Sequence, residues 1–195
     1  MSLLRASLGD GSECTLLADP IANGLITLPN NHSYIHKGGH FKHDISDVLS
    51  ATGDKVQLVV TTPQDNPQFR AEDTLYHMVF KFWHSQPCKF SVIEGGAIAS
   101  GGTVRLPMNN MRRSHIADTT ELVLTTGSGT IVYSGGTVIE GPYYLGNRSD
   151  AATFRDDDEF ILDANMNYLF ELEQLANGSN YCGIEIAWYE YVPEL

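Results

Sequence analysis

The sequence is short of paired cysteines, basic residues and long apolar runs. Cys14, Cys88 and Cys182 are far apart and odd in number. They form no CxxC pair, which argues against a structural zinc site. Cys88 and Cys182 fall in strand-like stretches, where a reduced thiol packs as a small hydrophobe, in keeping with folding in a cytoplasm. Basic residues number 12 against 24 acidic, a formal net charge of -12. Binding nucleic acid through its phosphates needs a basic surface, so general nucleic-acid binding and attraction to an anionic membrane are both disfavoured. No window reaches the ~20 apolar residues that span a bilayer. The opening MSLLRASLGDGSECTLL lacks the continuous apolar core and small-residue cleavage site of a secretory signal. A soluble protein is expected.

What is present points to β-structure. Hydrophobic residues make up 42% and charged residues 18% of 195 residues, enough for a core that buries roughly 70% of the unfolded surface. The 18 glycines and frequent Thr, Val and Tyr favour many strands joined by turns. Residues 1–33 mix short apolar pieces with Gly, Pro, Asn and Asp and show no sustained period. They are expected to form an extended arm, or edge strands near Thr15–Leu17 and Leu25–Leu28. From Tyr34 the strand signals become denser. KVQLVVTTP sets Val56, Leu58 and Val60 against Gln57 and Thr61, and Pro63 ends it. TLYHMVFKFWHS is apolar on both parities, the pattern of a strand covered on both faces.

Near the C-terminus, DANMN is turn chemistry inside EFILDANMNYLFELEQL. It predicts a hairpin of Glu159–Leu162 and Tyr168–Leu175. IEIAWYEYV then places Ile184, Ile186 and Trp188 on one face. The one helical expectation is a short piece at Asp44–Ala51. Together these elements predict an all-β chain: a single β-sandwich or jelly-roll-like domain over 34–195, carrying an extended N-terminal arm over 1–33.

Motifs of catalysis are scarce. His36 and His40 have metal-binding i, i+4 spacing, but Gly38-Gly39 between them is a poor helix interior. Hydrogen-bonding histidines at a sheet edge are the expected role, with His77 and His84 as polar ends of a buried strand. Asp156, Asp157 and Asp158 are consecutive, so their side chains diverge, and no calcium-loop pattern follows. There is no GxSxG elbow. Glu94, Glu140, Glu159 and Glu190 cannot be placed at glycosidase separation from sequence. No enzyme, metal site or cofactor is expected. Tyr143-Tyr144 could stack on a sugar, although aromatics in strands more often serve a core or interface. One phrase occurs twice, as Ser100-Gly101-Gly102-Thr103-Val104 and Ser134-Gly135-Gly136-Thr137-Val138. Neither copy matches a phosphate-binding loop, so recurring turn chemistry is expected.

An ordered set of short words runs from Tyr34 to the C-terminus: IHKGGHF (Ile35–Phe41), TTP (Thr61–Pro63), HMVF (His77–Phe80), VIEGG (Val92–Gly96), SGGTV and NNMRRS (Asn109–Ser114). Arg155, DEFILD (Asp158–Asp163), NYLFEL (Asn167–Leu172) and AWYEY (Ala187–Tyr191) complete it. The set resembles tailed-bacteriophage virion proteins, some of which look like capsid decoration, or cement, proteins. That resemblance implies a β-sandwich, often a homotrimer, on the virion's outer capsid lattice, clamping neighbouring major capsid subunits. It supplies no catalytic residue. The residues expected at an interface or in loop bracing are His36, His40, Glu94, Asn109, Asn110, Arg112, Arg113, Tyr143 and Tyr144. Arg112 or Arg113 either pairs with Glu94 or reaches a neighbouring subunit. The alternative function is a carbohydrate-binding or adhesin-type module of a virion fibre.

Overall fold

The computed structural model describes the backbone at 3–7, 13–19 and 24–25, and then residues 39–63, 75–109, 120–146, 152–153 and 159–191. Side chains are described from residue 39 on, save at 75, 152–153 and 191. His36, Asn110, Arg112, Arg113 and the Asp156–Asp158 run therefore lie outside the described residues, as does any pairing of Glu94 with Arg112 or Arg113. The chain divides into two compact units, Met1–Ser33 and Tyr34–Leu195. The first holds β1 (Leu3–Ser7), β2 (Glu13–Asp19) and β3 (Gly24–Leu25), an antiparallel sheet in that order.

The second unit is all-β among its described residues. Its strands are β4 (His40–Leu49), β5 (Lys55–Thr61), β6 (Leu75–Trp83), β7 (Cys88–Glu94), β8 (Ala97–Ser100), β9 (Thr103–Arg105) and β10 (Met108–Asn109). There follow β11 (Val123–Ser128), β12 (Val132–Ser134), β13 (Thr137–Leu145), β14 (Ala152–Thr153), β15 (Phe160–Leu162), β16 (Asn167–Gln174) and β17 (Asn180–Tyr191). Two antiparallel sheets face each other. Sheet I runs β10-β4-β17-β6-β14, with β15 also paired to β6, and sheet II runs β13-β7-β16-β5-β11-β9.

One core joins them. Sheet I contributes Phe41, Met78, Phe80, Phe82, Ile184, Ile186 and Trp188, and sheet II contributes Val56, Leu58, Val60, Phe90, Val92, Leu124, Phe170 and Leu172. Alternation along each strand aims these side chains inward. Each fully buried Leu, Ile, Val, Phe or Met contributes roughly 1.5–3 kcal/mol. Aromatic contacts bridge the layers: Phe82 stacks on Phe90 at 4.2 Å between ring centroids, and Phe80 meets Phe170 edge-on at 5.4 Å. Cys88 and Cys182 are buried free thiols in β7 and β17, as the sequence predicts.

The expectations differ from the structure at four places. Asp44–Leu49 is not helical but the second half of β4, paired with β17 from Ile45↔Ile184 to Leu49↔Asn180. Phe41, Ile45 and Leu49 are four apart, a spacing that lies on one face of a helix and equally on one face of a strand. Glu159–Leu162 and Tyr168–Leu175 do not form a hairpin, because β15 pairs with β6 in sheet I and β16 with β5 and β7 in sheet II. The turn between them crosses the end of the sandwich. Asn165 there takes a left-handed φ of 54° and donates its N–H to Pro63 O at 2.8 Å. Thr62 Oγ1 accepts from Met166 N at 2.8 Å and lies 2.7 Å from Asp163 O, tying the turn to the end of β5.

The other two differences concern burial. β5 is covered on both faces, since Gln57 and Val59 are buried along with Val56, Leu58 and Val60. β6 is fully covered on its core face alone: its outer face carries half-buried His77, Val79 and Trp83 and exposed Lys81.

Candidate functional site

The second cover on β5 is a two-stranded flap, β8 paired with β12, which packs on the outer face of sheet II. Val59, Leu169 and Ile131 form a small apolar cluster there, joined by Ile93, Ile98 and Tyr133. Polar staples reinforce it. Buried Gln57 donates from Nε2 to Glu171 Oε2 at 3.0 Å and accepts at Oε1 from Ile131 N at 3.2 Å. Asn167 Nδ2 donates to Gly96 O at 2.9 Å, and Tyr133 O–H donates to Asn167 O at 3.3 Å. Lys55 Nζ reaches Glu171 at 2.9 Å beside the flap, and Lys89 Nζ reaches Glu173 at 2.6 Å further along.

The repeated SGGTV phrase builds this flap. Each copy ends a flap strand at its serine, turns through two glycines, and starts an outer strand of sheet II at its threonine. Gly101, Gly102, Gly135 and Gly136 all have left-handed φ, from 74° to 91°, a region open to glycine at little cost. The two copies lead to opposite edges of the sheet, β9 and β13. Strand order is also symmetric about the central β16–β5 pair, so β7-β8-β9 and β11-β12-β13 occupy equivalent places. The phrase is turn chemistry used twice, at the joints of one covering element.

The residues expected at an interface do not form one constellation. His40 and Asn109 come together, because His40 opens β4 and Asn109 of β10 pairs with Phe41 beside it. Burial holds the His40 imidazole below its usual pKa, against a hydrogen bond that the ring makes to its own backbone, which raises it. Glu94 ends β7 opposite Thr137, while Tyr143 and Tyr144 pair with Phe90 and Lys89 further back along that strand. Tyr143 packs against the core and Tyr144 is 72% exposed. Adjacent strand residues point to opposite faces, so the two tyrosines cannot serve as one stacking platform.

A triad on the outer face of sheet I was not legible in the sequence. His77 Nδ1 lies 3.0 Å from Glu159 Oε2, Tyr189 O–H donates to the same oxygen at 2.8 Å, and the two rings stack at 4.7 Å. His77 and Tyr189 are 112 residues apart in sequence and directly opposed in the sheet, a pairing that no local pattern announces. Among the described residues, no group of three His, Cys, Asp or Glu side chains could hold a metal ion.

Exposed apolar side chains lie at both edges of sheet II. Val104, Leu106 and Val123 stand at the β9–β11 edge, exposed by 65%, 89% and 45%. Val138 and Tyr144 stand at the β13 edge. No family model matches the chain, and no curated protein matches it at a significant level.

Proposed function

We propose that this chain is a structural protein of a tailed-phage virion, a decoration protein that binds the outer capsid lattice and bridges major capsid subunits. The observation that carries this reading is the set of exposed apolar side chains flanking the flap on sheet II, Val104, Leu106 and Val123 at one edge and Val138 and Tyr144 at the other. Apolar groups grouped at a surface mark contact with another protein more often than chance exposure does. A lattice clamp gains strength from many symmetry-related contacts and needs a stable scaffold, which the continuous core supplies. The net charge of -12 suits a particle component that must not adhere to packaged nucleic acid.

The way eight strands divide between the two sheets supports a jelly-roll reading of the sandwich. Sheet I takes β4, β17, β6 and β15, and sheet II takes β5, β16, β7 and β13, an eight-strand double Greek key. A homotrimer and a contribution of Met1–Ser33 to the capsid contact belong to the same proposal. The test is co-sedimentation with capsids lacking this protein. Leu106→Ser combined with Val123→Ser should abolish attachment while the isolated chain melts as before. Undiminished attachment would remove the β9–β11 edge of sheet II from the contact.

A further inference from the structure

We propose that the cleft at the open edge of the sandwich, between β4 and the β9–β11 edge, binds a carboxylated saccharide, with Arg105 holding the carboxylate. The cleft has a volume of about 510 Å³, within the range that takes a small ligand. Its lining breaks the pattern of the rest of the interior. On β4, His43 shares the inward face with Phe41, Ile45 and Leu49. On β11, Thr126 and Ser128 continue the inward face of Leu124. On β9, Arg105 lies opposite Leu124 and Thr103 opposite Thr126, so both face inward as well. At the far edge the corresponding positions are apolar: Ile139, Tyr143, Leu145 and Phe160 close the core. Inward positions of a sandwich normally carry apolar side chains, and a run of polar ones marks a place where the fold serves something besides packing.

The chemistry of the lining selects the ligand. Thr103, Thr126 and Ser128 line the inward side of the cleft with hydroxyls that donate and accept, as the hydroxyls of a sugar ring require. Arg105 Nε donates to Thr126 Oγ1 at 3.3 Å, which fixes the guanidinium at the mouth. Among the described residues no carboxylate forms an ion pair with Arg105, and a guanidinium fork matches a carboxylate bidentately. Burial, opposed by Asp44 and reinforced by Arg105, lowers the His43 pKa, so a neutral imidazole stands ready to donate and accept. A single guanidinium in the lining suits a monoanion over a phosphate or sulfate dianion.

The test is an amide-resolved NMR titration of the full chain with N-acetylneuraminic acid and glucuronic acid, using glucose and acetate as controls. It needs no capsid, so its failure and that of the capsid reading are separate results. Saturable shifts confined to residues 43–46, 103–105 and 126–130 are expected with an acidic sugar, with neither control saturating. Arg105→Gln should weaken binding by about tenfold or more, the worth of a charged hydrogen bond. The proposal is overturned by no shifts up to tens of millimolar, by shifts elsewhere, or by acetate binding as well as the sugar. Unchanged binding by folded Arg105→Gln would overturn it too. If that variant fails to fold, the wild-type titration against the two controls decides.

Discussion

Single residues carry sharp consequences where backbone and side chain are both constrained. Gly135 and Gly136 have similar left-handed φ, 74° and 91°, yet their surroundings differ. A Cβ on Gly135 would meet open space, whereas one on Gly136 would lie 2.7 Å from Glu94 O and from Ile93 Cγ2. Gly135→Ala should therefore cost about 1–2 kcal/mol of backbone strain, and Gly136→Ala clearly more, as measured by urea unfolding. Burial raises the Cys182 thiol to about 12 and also raises Cys88. In a Cys14→Ser background, neither should react with a thiol reagent at pH 8 until the chain unfolds, because the thiolate is the reactive form. Fast labelling of the native protein would contradict their burial.

The histidines give a pH dependence with a definite sign. His40 and His43 both have folded pKa values lowered from 6.5, chiefly by burial. Above pH 6.5 both folded and unfolded forms are neutral and nothing is lost. As pH falls through 6.5 the unfolded chain takes up protons that the folded chain resists, and stability drops. The charge of Arg105 adds to the resistance of His43, and that of the neighbouring Asp44 opposes it. His43→Asn should flatten the decline between pH 7 and 5 in thermal melts, and an unchanged slope would remove His43 from it.

At the scale of elements, the flap is a covering layer held by few groups. Gln57→Ala removes both its hydrogen bond to Glu171 and the acceptor for Ile131 N. Leaving those buried groups unpaired costs about 1–3 kcal/mol. Hydrogen exchange at Ile131–Ser134 should quicken far more than in β16, since the flap opens without the core. Uniform loss of protection would mean that flap and sandwich unfold together. This is also the scale at which sequence reading succeeded and failed. Ile184, Ile186 and Trp188 were legible on one face because strand periodicity is local. The hairpin at Asp163–Met166 was misread because a turn announces a reversal without saying which sheet the next strand joins. Gln57 looked solvent-facing because the flap that buries it comes from residues 97–100 and 132–134. A short helix is expected at Asp44–Ala51, where the structure continues β4 to Leu49, a strand whose inward His43 lines a polar cleft.

At the scale of the whole molecule, we propose that the sandwich and the compact unit Met1–Ser33 both serve attachment to a lattice. Met1–Ser33 forms a compact unit of its own, so deleting it should leave the melting of Tyr34–Leu195 nearly unchanged and weaken capsid attachment. A truncated chain that decorates capsids as well as the full chain would assign attachment to the sandwich alone. The most direct measurement is cryo-electron microscopy of tailed-phage particles incubated with the full chain. The account predicts density fitting the β4–β17 sandwich at regular positions on the outer capsid surface, with sheet II against the capsid subunits. Density confined to tail or head fibres, or none on the particle, would contradict it.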